Sequence, residues 1–350
     1  MDLISTYANG VSELTNFSRS LETAPLIVDV IANPHAGFFK RHATVEKHIL
    51  ELEQRLAELR LRYPRRKVEI NTVHFTEYPG HARIIAEQIL DKEEKASSGI
   101  EHLLICCGGD GTSNEICTAL VDADGSLLDR LKILRLPLGT GNDVADASTF
   151  SQAYDLILGP QRTTKTGAIH VTTKSGRSLF AFNIGSIGLD AYVTDLTNRF
   201  KRAIPGDAYK FLVDFGSLFY EQKVRPGPMT VRLHHDGAES RIDGFVPSMV
   251  VVGISGGRTY GGHMRVLPGR ENVCLIAGMS LLKKIRSKKL FYRGLHGRLH
   301  EVSFHTAEKV DIEYDGRMPM QLDGELTWLE PRDFPISFQI LAPRIKVLRA

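Results

Sequence analysis

Short apolar runs alternate with longer stretches of helical spacing over the first part of the chain. The runs predict strands, and the stretches with apolar residues three and four positions apart predict helices. In order, the predicted elements are a strand in LIVDVIANP, a helix ending near Tyr63, a strand in VEINTVHFTE, a helix over 79–97, a strand in HLLICC, a helix in TSNEICTALV, a strand in KILRLP and a loop, GTGNDVADAS, that enters another helix. This alternation is typical of a doubly wound α/β domain with a parallel sheet.

Beyond about Gly159 the pattern changes to β-rich segments that are broken by glycine-containing turns. A helix around 207–222 and a basic segment at 281–292 interrupt the predicted strands. This pattern indicates a second, largely antiparallel domain. We therefore predict an α/β domain over 25–160 and a β-rich domain over 161–337.

Residues 1–24 precede the first predicted strand and carry their own helical pattern. The apolar positions with this spacing are Leu3, Ile4, Tyr7, Val11, Leu14, Phe17 and Leu21. The polar positions carry Asp2, Glu13 and Glu22 against one Arg19, a balance that disfavours adsorption to an anionic membrane. An accessory helix packed on the protein is the prediction for this extension. A single amphipathic helix does not decide the oligomeric state, so a homo-oligomer stays open.

Composition changes this picture little. The chain has 350 residues with 42% hydrophobic and 24% charged residues, which is ordinary for a globular protein of two domains. No apolar run approaches the roughly 18 residues that a transmembrane helix needs, and no secretory signal is visible. The four cysteines lack zinc-type spacing, and Cys106 and Cys107 are neighbours on one predicted strand. These features predict a reduced, cytoplasmic protein.

Charge is concentrated in one segment. The net charge is +3, yet 283–298 holds seven Lys or Arg residues and no acidic residue, so the remainder is net acidic. Within this segment, apolar residues are interleaved with the cations, a pattern that attracts anionic lipid headgroups. The alternatives are a solvated charged helix and a nucleic-acid surface, although no known recognition module surrounds the segment. We predict a membrane-docking patch and no nucleic-acid partner, with the patch formed by Lys283, Lys284, Arg286, Lys288, Lys289 and Arg293.

Four polar loops follow four successive predicted strands. They are NPHAG at 33–37, Thr76 in HFTEYPGHA, GGDGTSNE at 108–115 and LPLGTGNDVA at 136–145. The carboxyl ends of parallel strands lie along one edge of a doubly wound sheet, where ligands bind. We therefore expect all four loops to border one crevice.

The loop GGDGT has the composition of a phosphate-binding turn. Its glycines let backbone N–H groups approach a ligand, and the next helix, which Thr112 is predicted to cap, attracts an anion. No Gly-Lys-Ser/Thr follows, so this is not a P-loop, and Asp110 would repel phosphate unless a cation such as Mg²⁺ came with the nucleotide. In LGTGND, Thr140 and Asn142 are the candidate donors. Taken singly, each loop also fits a purely structural alternative, namely the capped start of a helix or a turn that ends a strand.

These motifs resemble the diacylglycerol kinase catalytic-domain family, the ATP-dependent lipid kinase superfamily that also holds sphingosine and ceramide kinases. The resemblance runs from about residue 25 to the C-terminus. GGDGT by itself is shared with NAD kinases and phosphofructokinases, so the combination and order of the motifs carry the specificity. In order these are NPHAG, GGDGTSNE, LPLGTGNDVA, AFNIGSIGLDAYV at 181–193, the Tyr209-Lys210 region and LDGE at 322–325.

The resemblance implies an N-terminal α/β domain and a C-terminal β-sandwich domain, with the ATP site in the cleft between them. It also implies that the last segment, near 338–350, returns to the first domain. ATP and Mg²⁺ are the implied cofactors, with Asp110 as the partner of the nucleotide-bound metal. The implied nucleotide-binding residues are Asn33, Pro34, His35, Ala36, Gly37, Thr76, Gly108, Gly109, Asp110, Gly111, Thr112, Ser113, Asn114, Glu115, Gly139, Thr140 and Asn142.

The Asp-Gly-Glu segment supplies the implied catalytic carboxylates, Asp323 and Glu325, to which Asp110 is added. Phosphoryl transfer to an alcohol needs positioned phosphates, charge neutralisation and an acceptor for the hydroxyl proton. The resemblance makes Glu325 the general base. The alternative for Asp-Gly-Glu is an exposed β-turn, which we predict for the other Asp-Gly pairs at 236–237 and 315–316.

One region departs from the family pattern. Bacterial members often carry an acidic stretch in the second domain that binds a structural metal, but 266–278 here reads VLPGRENVCLIAG. Because Asn272 and Cys274 stand where acids are expected, we predict no structural Mg²⁺ there.

The sequence therefore predicts a peripheral lipid kinase at the inner face of the membrane, with diacylglycerol as the first candidate substrate. The motifs do not distinguish among lipid alcohols. An NAD kinase-like enzyme is one alternative, although LPLGTGND with a distant Asp-Gly-Glu fits it poorly. A nucleotide- or lipid-binding protein without turnover is the other, and loss of the Asp-Gly-Glu acids would have favoured it.

Overall fold

The structure, a computed structural model, describes residues 2–18, 26–63, 70–94, 100–139, 142, 144–159, 162–200, 220–260 and 264–349. It divides into two units, Met1–Thr166 with Pro343–Ala350, and Gly167–Ala342. Our prediction had placed these boundaries near 160 and 338. The return of the chain to the first unit uses the last strand, whose final residues pair with that unit's sheet.

The first unit is built on a parallel sheet in the order β2-β1-β3-β4. These strands are β1 (Leu26–Ala32), β2 (Ile70–Phe75), β3 (Glu101–Cys107) and β4 (Leu131–Arg135). The whole of β1 is buried, as expected when helices cover both faces of a parallel sheet. Its helices are α1 (Leu3–Leu14), α2 (His42–Arg62), α3 (His81–Glu94), α4 (Asp110–Val121), α5 (Gly125–Arg130) and α6 (Phe150–Leu158). The prediction of a doubly wound α/β domain is confirmed.

The N-terminal extension forms α1, which packs against α2, β1, β2 and α6. Tyr7, Val11 and Leu14 are fully buried in the core of the unit. The Tyr154 hydroxyl donates a hydrogen bond to that of Tyr7, 3.1 Å away. The helical spacing read from the sequence therefore marks a face that is covered by the protein itself.

The second unit contains a six-stranded antiparallel sheet in the order β14-β13-β10-β7-β16-β17 and a second group of strands. The sheet comprises β7 (Ile184–Gly188), β10 (Pro247–Gly253), β13 (Val273–Ala277), β14 (Val302–His305), β16 (Met318–Leu322) and β17 (Glu325–Leu329). The second group comprises β5 (Arg162–Thr173, from Gly167 on), β6 (Ser178–Ala181), β8 (Met229–His235), β9 (Ala238–Phe245), β15 (Lys309–Glu313) and the start of β18 (Ile336–Arg349). A hairpin of β11 (Arg258–Tyr260) and β12 (Met264–Leu267) completes the strands.

Buried residues from both groups of strands form one core, for example Val231 on β8, Val252 on β10 and Met320 on β16. This arrangement confirms the predicted antiparallel β-sandwich. The helices that the structure describes from end to end in this unit include α7 (Leu189–Phe200) and α8 (Leu281–Arg293).

Some helices differ from the prediction. The helix expected over 79–97 is described from His81 to Glu94, and 95–99 lie outside the described residues. Most of the helix expected near 207–222, with the Tyr209-Lys210 region, also lies outside them, although 220–224 are helical. Helices α5 and α7 were not predicted. At α7 the backbone turns at Gly188, which has φ 108°, and the AFNIGSIGLDAYV motif passes from strand to helix there.

Candidate functional site

Two glycine loops meet at the carboxyl edge of the parallel sheet in the first unit. Gly109 follows β3 and Gly139 follows β4, and a Cβ built on Gly139 would lie only 3.1 Å from the Gly109 Cα atom. A Cβ on Gly109 would lie 3.3 Å from the Gly139 Cα atom. The two backbones therefore lie against each other with no room for side chains, which is the geometry of a backbone cradle for an anion.

Helix α4 begins in this cradle. Its first residue is Asp110, and its N-cap is Gly109, which has no side chain that could accept a hydrogen bond from the first N–H groups. The first N–H groups of a helix have no intrahelical partner, and together with the helix dipole they attract negative charge. The cradle therefore offers backbone donors at the end of a helix.

The predicted role of Thr112 as the helix cap is wrong. The helix starts two residues earlier, at Asp110, so Thr112 lies inside the first turn. Its hydroxyl oxygen accepts a hydrogen bond of 2.8 Å from the Asn33 amide nitrogen Nδ2. A Cβ on Gly108 would lie 2.5 Å from the Thr112 Cβ atom, so Gly108 makes room for this side chain. Thr112 therefore joins the loop after β1 to helix α4.

Asn33 organises the loop that follows β1. Its backbone N–H donates to the Cys107 carbonyl at 3.0 Å, and its Oδ1 atom accepts the His35 N–H at 2.9 Å. The Ala36 N–H donates to the Asn33 carbonyl at 3.0 Å. Asn33 thus fixes the turn through Pro34, His35, Ala36 and Gly37 and ties it to β3. Further along, the Phe38 N–H donates to the Leu138 carbonyl at 3.2 Å, which connects the turn to the loop after β4.

The Glu115 side chain reaches the start of α3. Its two carboxylate oxygens accept hydrogen bonds from the N–H groups of Gly80, at 2.8 Å, and Ala82, at 3.1 Å. Both oxygens are therefore engaged at the start of α3. Thr76 is buried, and its N–H donates to the Ala32 carbonyl at 2.9 Å. Glu115 and Thr76 therefore hold the loop after β2 beside the cradle.

The loop after β4 is held by a buried ion pair that the motifs did not predict. The Arg135 guanidinium nitrogen Nη2 lies 2.7 Å from Asp146 Oδ1, and the Arg135 backbone N–H donates to Asp146 Oδ2 at 2.8 Å. Burial by itself would lower the pKa of the Arg135 guanidinium, but the adjacent Asp146 carboxylate raises it above its usual value. Within the loop the Gly139 N–H donates to Asn142 Oδ1 at 2.7 Å. Thr140 lies outside the described residues.

The remaining predicted residues lie on α4. Ser113 is buried, with its hydroxyl 3.4 Å from the Cys106 sulfur atom. Burial raises the pKa of the Cys106 thiol to about 12, which suits a packing role. Gly111 lies in the first turn, and the Asn114 Oδ1 atom accepts a hydrogen bond from Thr118. Asp110 Oδ1 lies 3.5 Å from the Val144 N–H, at the edge of hydrogen-bonding distance.

In the second unit, Asp323 and Gly324 form the two-residue turn between β16 and β17. Their φ values are 50° and 90°, and Leu322 pairs with Glu325 across the hairpin. The Asp-Gly pair at 236–237 is the same kind of turn, as predicted, with φ values of 50° and 75°. The Asp-Gly-Glu segment is therefore a β-turn, which was one of the two interpretations drawn from the sequence.

What distinguishes the two turns is the aspartate side chain. The Asp323 carboxylate accepts hydrogen bonds from three successive backbone N–H groups, those of Phe182, Asn183 and Ile184. The hairpin is thereby fastened to the junction between β6 and β7, inside the AFNIGSIGLDAYV motif. The Glu325 side chain is exposed and has no hydrogen-bond or ion-pair partner among the described residues.

A buried polar chain lies behind this hairpin. The Gln321 Oε1 atom accepts the Gly324 N–H at 2.8 Å, and the Gln321 Nε2 atom donates to the Ser186 hydroxyl at 2.7 Å. Ser186 donates in turn to the Asp190 carboxylate. Burial raises the pKa of Asp190, although the hydrogen bonds from Ser186 and Gln321 oppose the shift. None of these residues was singled out from the sequence, although Ser186 and Asp190 lie inside a motif that was.

In the segment 266–278, for which no structural metal was predicted, the Asn272 side chain forms hydrogen bonds with the backbone. The Asn272 amide nitrogen donates to the Ala307 carbonyl at 2.9 Å, and its oxygen accepts the Ala307 N–H at 3.0 Å. Cys274 is buried on β13.

Some cations of the predicted membrane patch are paired with glutamates, and others are exposed. The Lys283 ammonium nitrogen lies 2.5 Å from Glu301 Oε1, and that of Lys284 lies 2.8 Å from Glu221 Oε1. The Lys288 ammonium group lies 6.0 Å from the centre of the Tyr292 ring. Arg286, Lys289 and Arg293 have exposed side chains. The patch as predicted therefore mixes neutralised and exposed cations. No helix in the described ranges is both long and apolar enough to cross a membrane.

Comparison with known proteins agrees with the motifs. The profile of the diacylglycerol kinase catalytic domain matches residues 28–169, and that of the YegS C-terminal NAD kinase beta sandwich-like domain matches residues 183–349. A "Probable lipid kinase YegS-like" of Pseudomonas fluorescens is 30% identical over 67% of this chain and 79% of its own length. A "Putative lipid kinase YtlR" of Bacillus subtilis is 26% identical over 76% of this chain and 86% of its own. Matches to enterobacterial relatives span about half of each chain.

The crystal structure of a "putative diacylglycerol kinase" from Bacillus anthracis is similar in fold. It covers 93% of this chain and 97% of its own, with a TM-score of 0.60 and 16% identity, and it supports the two-part architecture alone. The matches in sequence identify the family, which similarity of fold at 16% identity does not. This chain belongs to the diacylglycerol kinase catalytic-domain family of lipid kinases.

Proposed function

We propose that the protein transfers the γ-phosphoryl group of ATP to the hydroxyl group of a lipid, with diacylglycerol as acceptor and phosphatidic acid as product. The observation that carries the proposal is the glycine cradle. Gly109 and Gly139 lie within 3.3 Å of each other's prospective Cβ positions, at the start of α4. A cradle of backbone N–H groups at a helix start suits a chain of phosphates.

The nucleotide would be bound by loops that are already fixed by hydrogen bonds. Asn33 holds the loop after β1 against Thr112, and Arg135 with Asp146 holds the loop after β4. Preorganised donors cost no reorganisation when the charge develops, and this is the main way in which proteins assist phosphoryl transfer.

Mg²⁺ fits this donor set. The loop has no P-loop lysine, so the phosphate charge calls for a cation, and Mg²⁺ is usually held by one or two carboxylates with phosphate oxygens. Asp110, the first residue of α4, is the carboxylate at the cradle that would hold it. The bound metal would supply charge neutralisation.

The two carboxylates of the hairpin would have different tasks. Glu325 is exposed and unpaired among the described residues, so it would accept the proton of the lipid hydroxyl at a carboxylate oxygen. Asp323 would act by position, because its oxygens already accept three backbone N–H groups and thereby orient the turn that carries Glu325.

The test is a labelling experiment with purified protein, Mg²⁺ and γ-labelled ATP. The panel would contain diacylglycerol, a sphingoid base, ceramide, a polyprenol and NAD. We expect label in diacylglycerol, and none with Glu325→Gln, which should still bind ATP. Label in another lipid would overturn the choice of acceptor, and label in NAD alone would overturn the lipid kinase itself.

A further inference from the structure

Six exposed side chains form one face of α8. At 100° per residue their positions fall within about 120° of the helix circumference. Leu282, Ile285 and Tyr292 are 66%, 56% and 46% exposed. We call this set the outer face of α8, and it consists of Leu282, Ile285, Arg286, Lys289, Tyr292 and Arg293.

The opposite side of the helix is anchored to the second unit. Ser287 is buried, and Phe291 packs against a buried cluster that includes Val266 on β12. The Phe291 ring stacks on the His296 ring with centroids 4.7 Å apart. Gly294, with φ 67°, ends the helix in the left-handed conformation that favours glycine. The outer face is therefore presented by a fixed helix, since its inner side is packed.

The charges of the outer face have one sign. Arg286, Lys289 and Arg293 form no ion pair with any described residue, whereas Lys283 and Lys284 are paired with glutamates on the flanks. No acidic residue occurs between Leu281 and Arg293. The cations are interleaved with large apolar side chains, which is unfavourable in water but suits the boundary between headgroups and acyl chains.

We infer that the outer face of α8 docks the protein on an anionic lipid bilayer. Arg286, Lys289 and Arg293 would contact the headgroup phosphates, while Leu282, Ile285 and Tyr292 would enter the interface. Charge complementarity and the exposed apolar area both favour this partner. The inference extends the proposed function by stating where the enzyme meets its substrate phase. Its test needs no ATP and no turnover, so either can fail without the other.

The first test measures co-sedimentation with vesicles that contain phosphatidylglycerol and phosphatidylcholine. The triple variant Arg286→Gln, Lys289→Gln, Arg293→Gln should bind on the order of a hundredfold more weakly, because each cation near an anionic surface contributes roughly a factor of five. The matched control is Arg62→Gln, Lys92→Gln, Lys174→Gln, which removes three exposed cations elsewhere. Equal binding by the triple variant and the wild type would overturn the inference, as would an equal loss in the control.

The second test reports insertion of the apolar side chains. The chain has one tryptophan, at 328, so Trp328→Phe gives a silent background. In that background Ile285→Trp should shift its emission to the blue when vesicles are added. Leu61→Trp, at an 88% exposed position on α2, should not shift. No shift at 285, or binding to a DNA duplex in place of the vesicles, would contradict docking on a bilayer.

Discussion

Individual carboxylates in this protein have structural roles that the sequence motifs do not show. Asp323 and Glu325 are two residues apart, yet one accepts three backbone N–H groups and the other is exposed. Glu115 and Asp323 were both implied as site residues, and the carboxylate of each accepts hydrogen bonds from backbone N–H groups. A carboxylate used in this way stabilises a loop, because a buried N–H group without an acceptor costs free energy.

The two hairpin carboxylates can be separated by mutation. Glu325→Gln should leave the melting temperature unchanged and lower kcat by about 10²–10⁴, the usual contribution of a general base. Asp323→Asn should also lower the free energy of unfolding by about 2 kcal/mol, because charge-assisted hydrogen bonds are lost. Thermal melting and kinetics on the same preparations check this. An unchanged melting temperature for Asp323→Asn would contradict its structural role.

Gln321 offers a test of positioning. Gln321→Met keeps the shape of the side chain but removes the acceptor for the Gly324 N–H and the donor to Ser186. We expect kcat to fall about tenfold with an unchanged KM for ATP, since the turn carrying Glu325 loses its support. A wild-type kcat in Gln321→Met would show that the hydrogen bond to Gly324 does not matter.

At the scale of elements, the close contact between the two glycine loops leaves little space for an added Cβ atom. Gly139→Ala would place a Cβ 3.1 Å from the Gly109 Cα atom and press the loops apart. We expect ATP affinity to fall at least tenfold, as measured by calorimetry. Gly125→Ala is the control, since its Cβ would meet only the Arg344 side chain at 3.8 Å, and ATP affinity there should be unchanged. Normal ATP binding by Gly139→Ala would contradict the cradle.

At the scale of the whole molecule, a buried charge cluster makes stability depend on pH. Asp29 on β1 lies 2.6 Å from the His74 Nε2 atom and 3.0 Å from that of His102, and Glu93 on α3 lies 3.6 Å from His102 Nδ1. Burial opposes both charges, yet the histidines lower the pKa of Asp29 to about 2 and the carboxylates raise that of His102. The cluster therefore favours a charged His102 in the folded state.

The sign of the pH effect follows from these directions. Because the folded pKa of His102 is raised, its contribution is complete below its unfolded pKa, about 6.5, and is lost as the pH rises through the folded value. The contribution of Asp29 is lost as the pH falls below about 4 toward 2. The free energy of unfolding, from urea titrations at pH 5.5 and 9, should be lower at pH 9. His102→Gln should reduce that difference, and an equal difference in the variant would refute the assignment.

The sequence by itself determined the order of strands and helices in the first unit apart from α5, the change from a parallel to an antiparallel pattern, and the loops that border the cradle. These follow from local periodicity and glycine placement, which act over a few residues. Only the tertiary structure decided which groups pair: Asn33 with Thr112, Arg135 with Asp146, Asp323 with the N–H groups at 182–184, and Lys283 with Glu301. These pairs join residues that are 11 to 141 positions apart in the chain, beyond the reach of local periodicity. The packing of the folded chain determines which groups pair, and the local propensities of the residues do not contain that information.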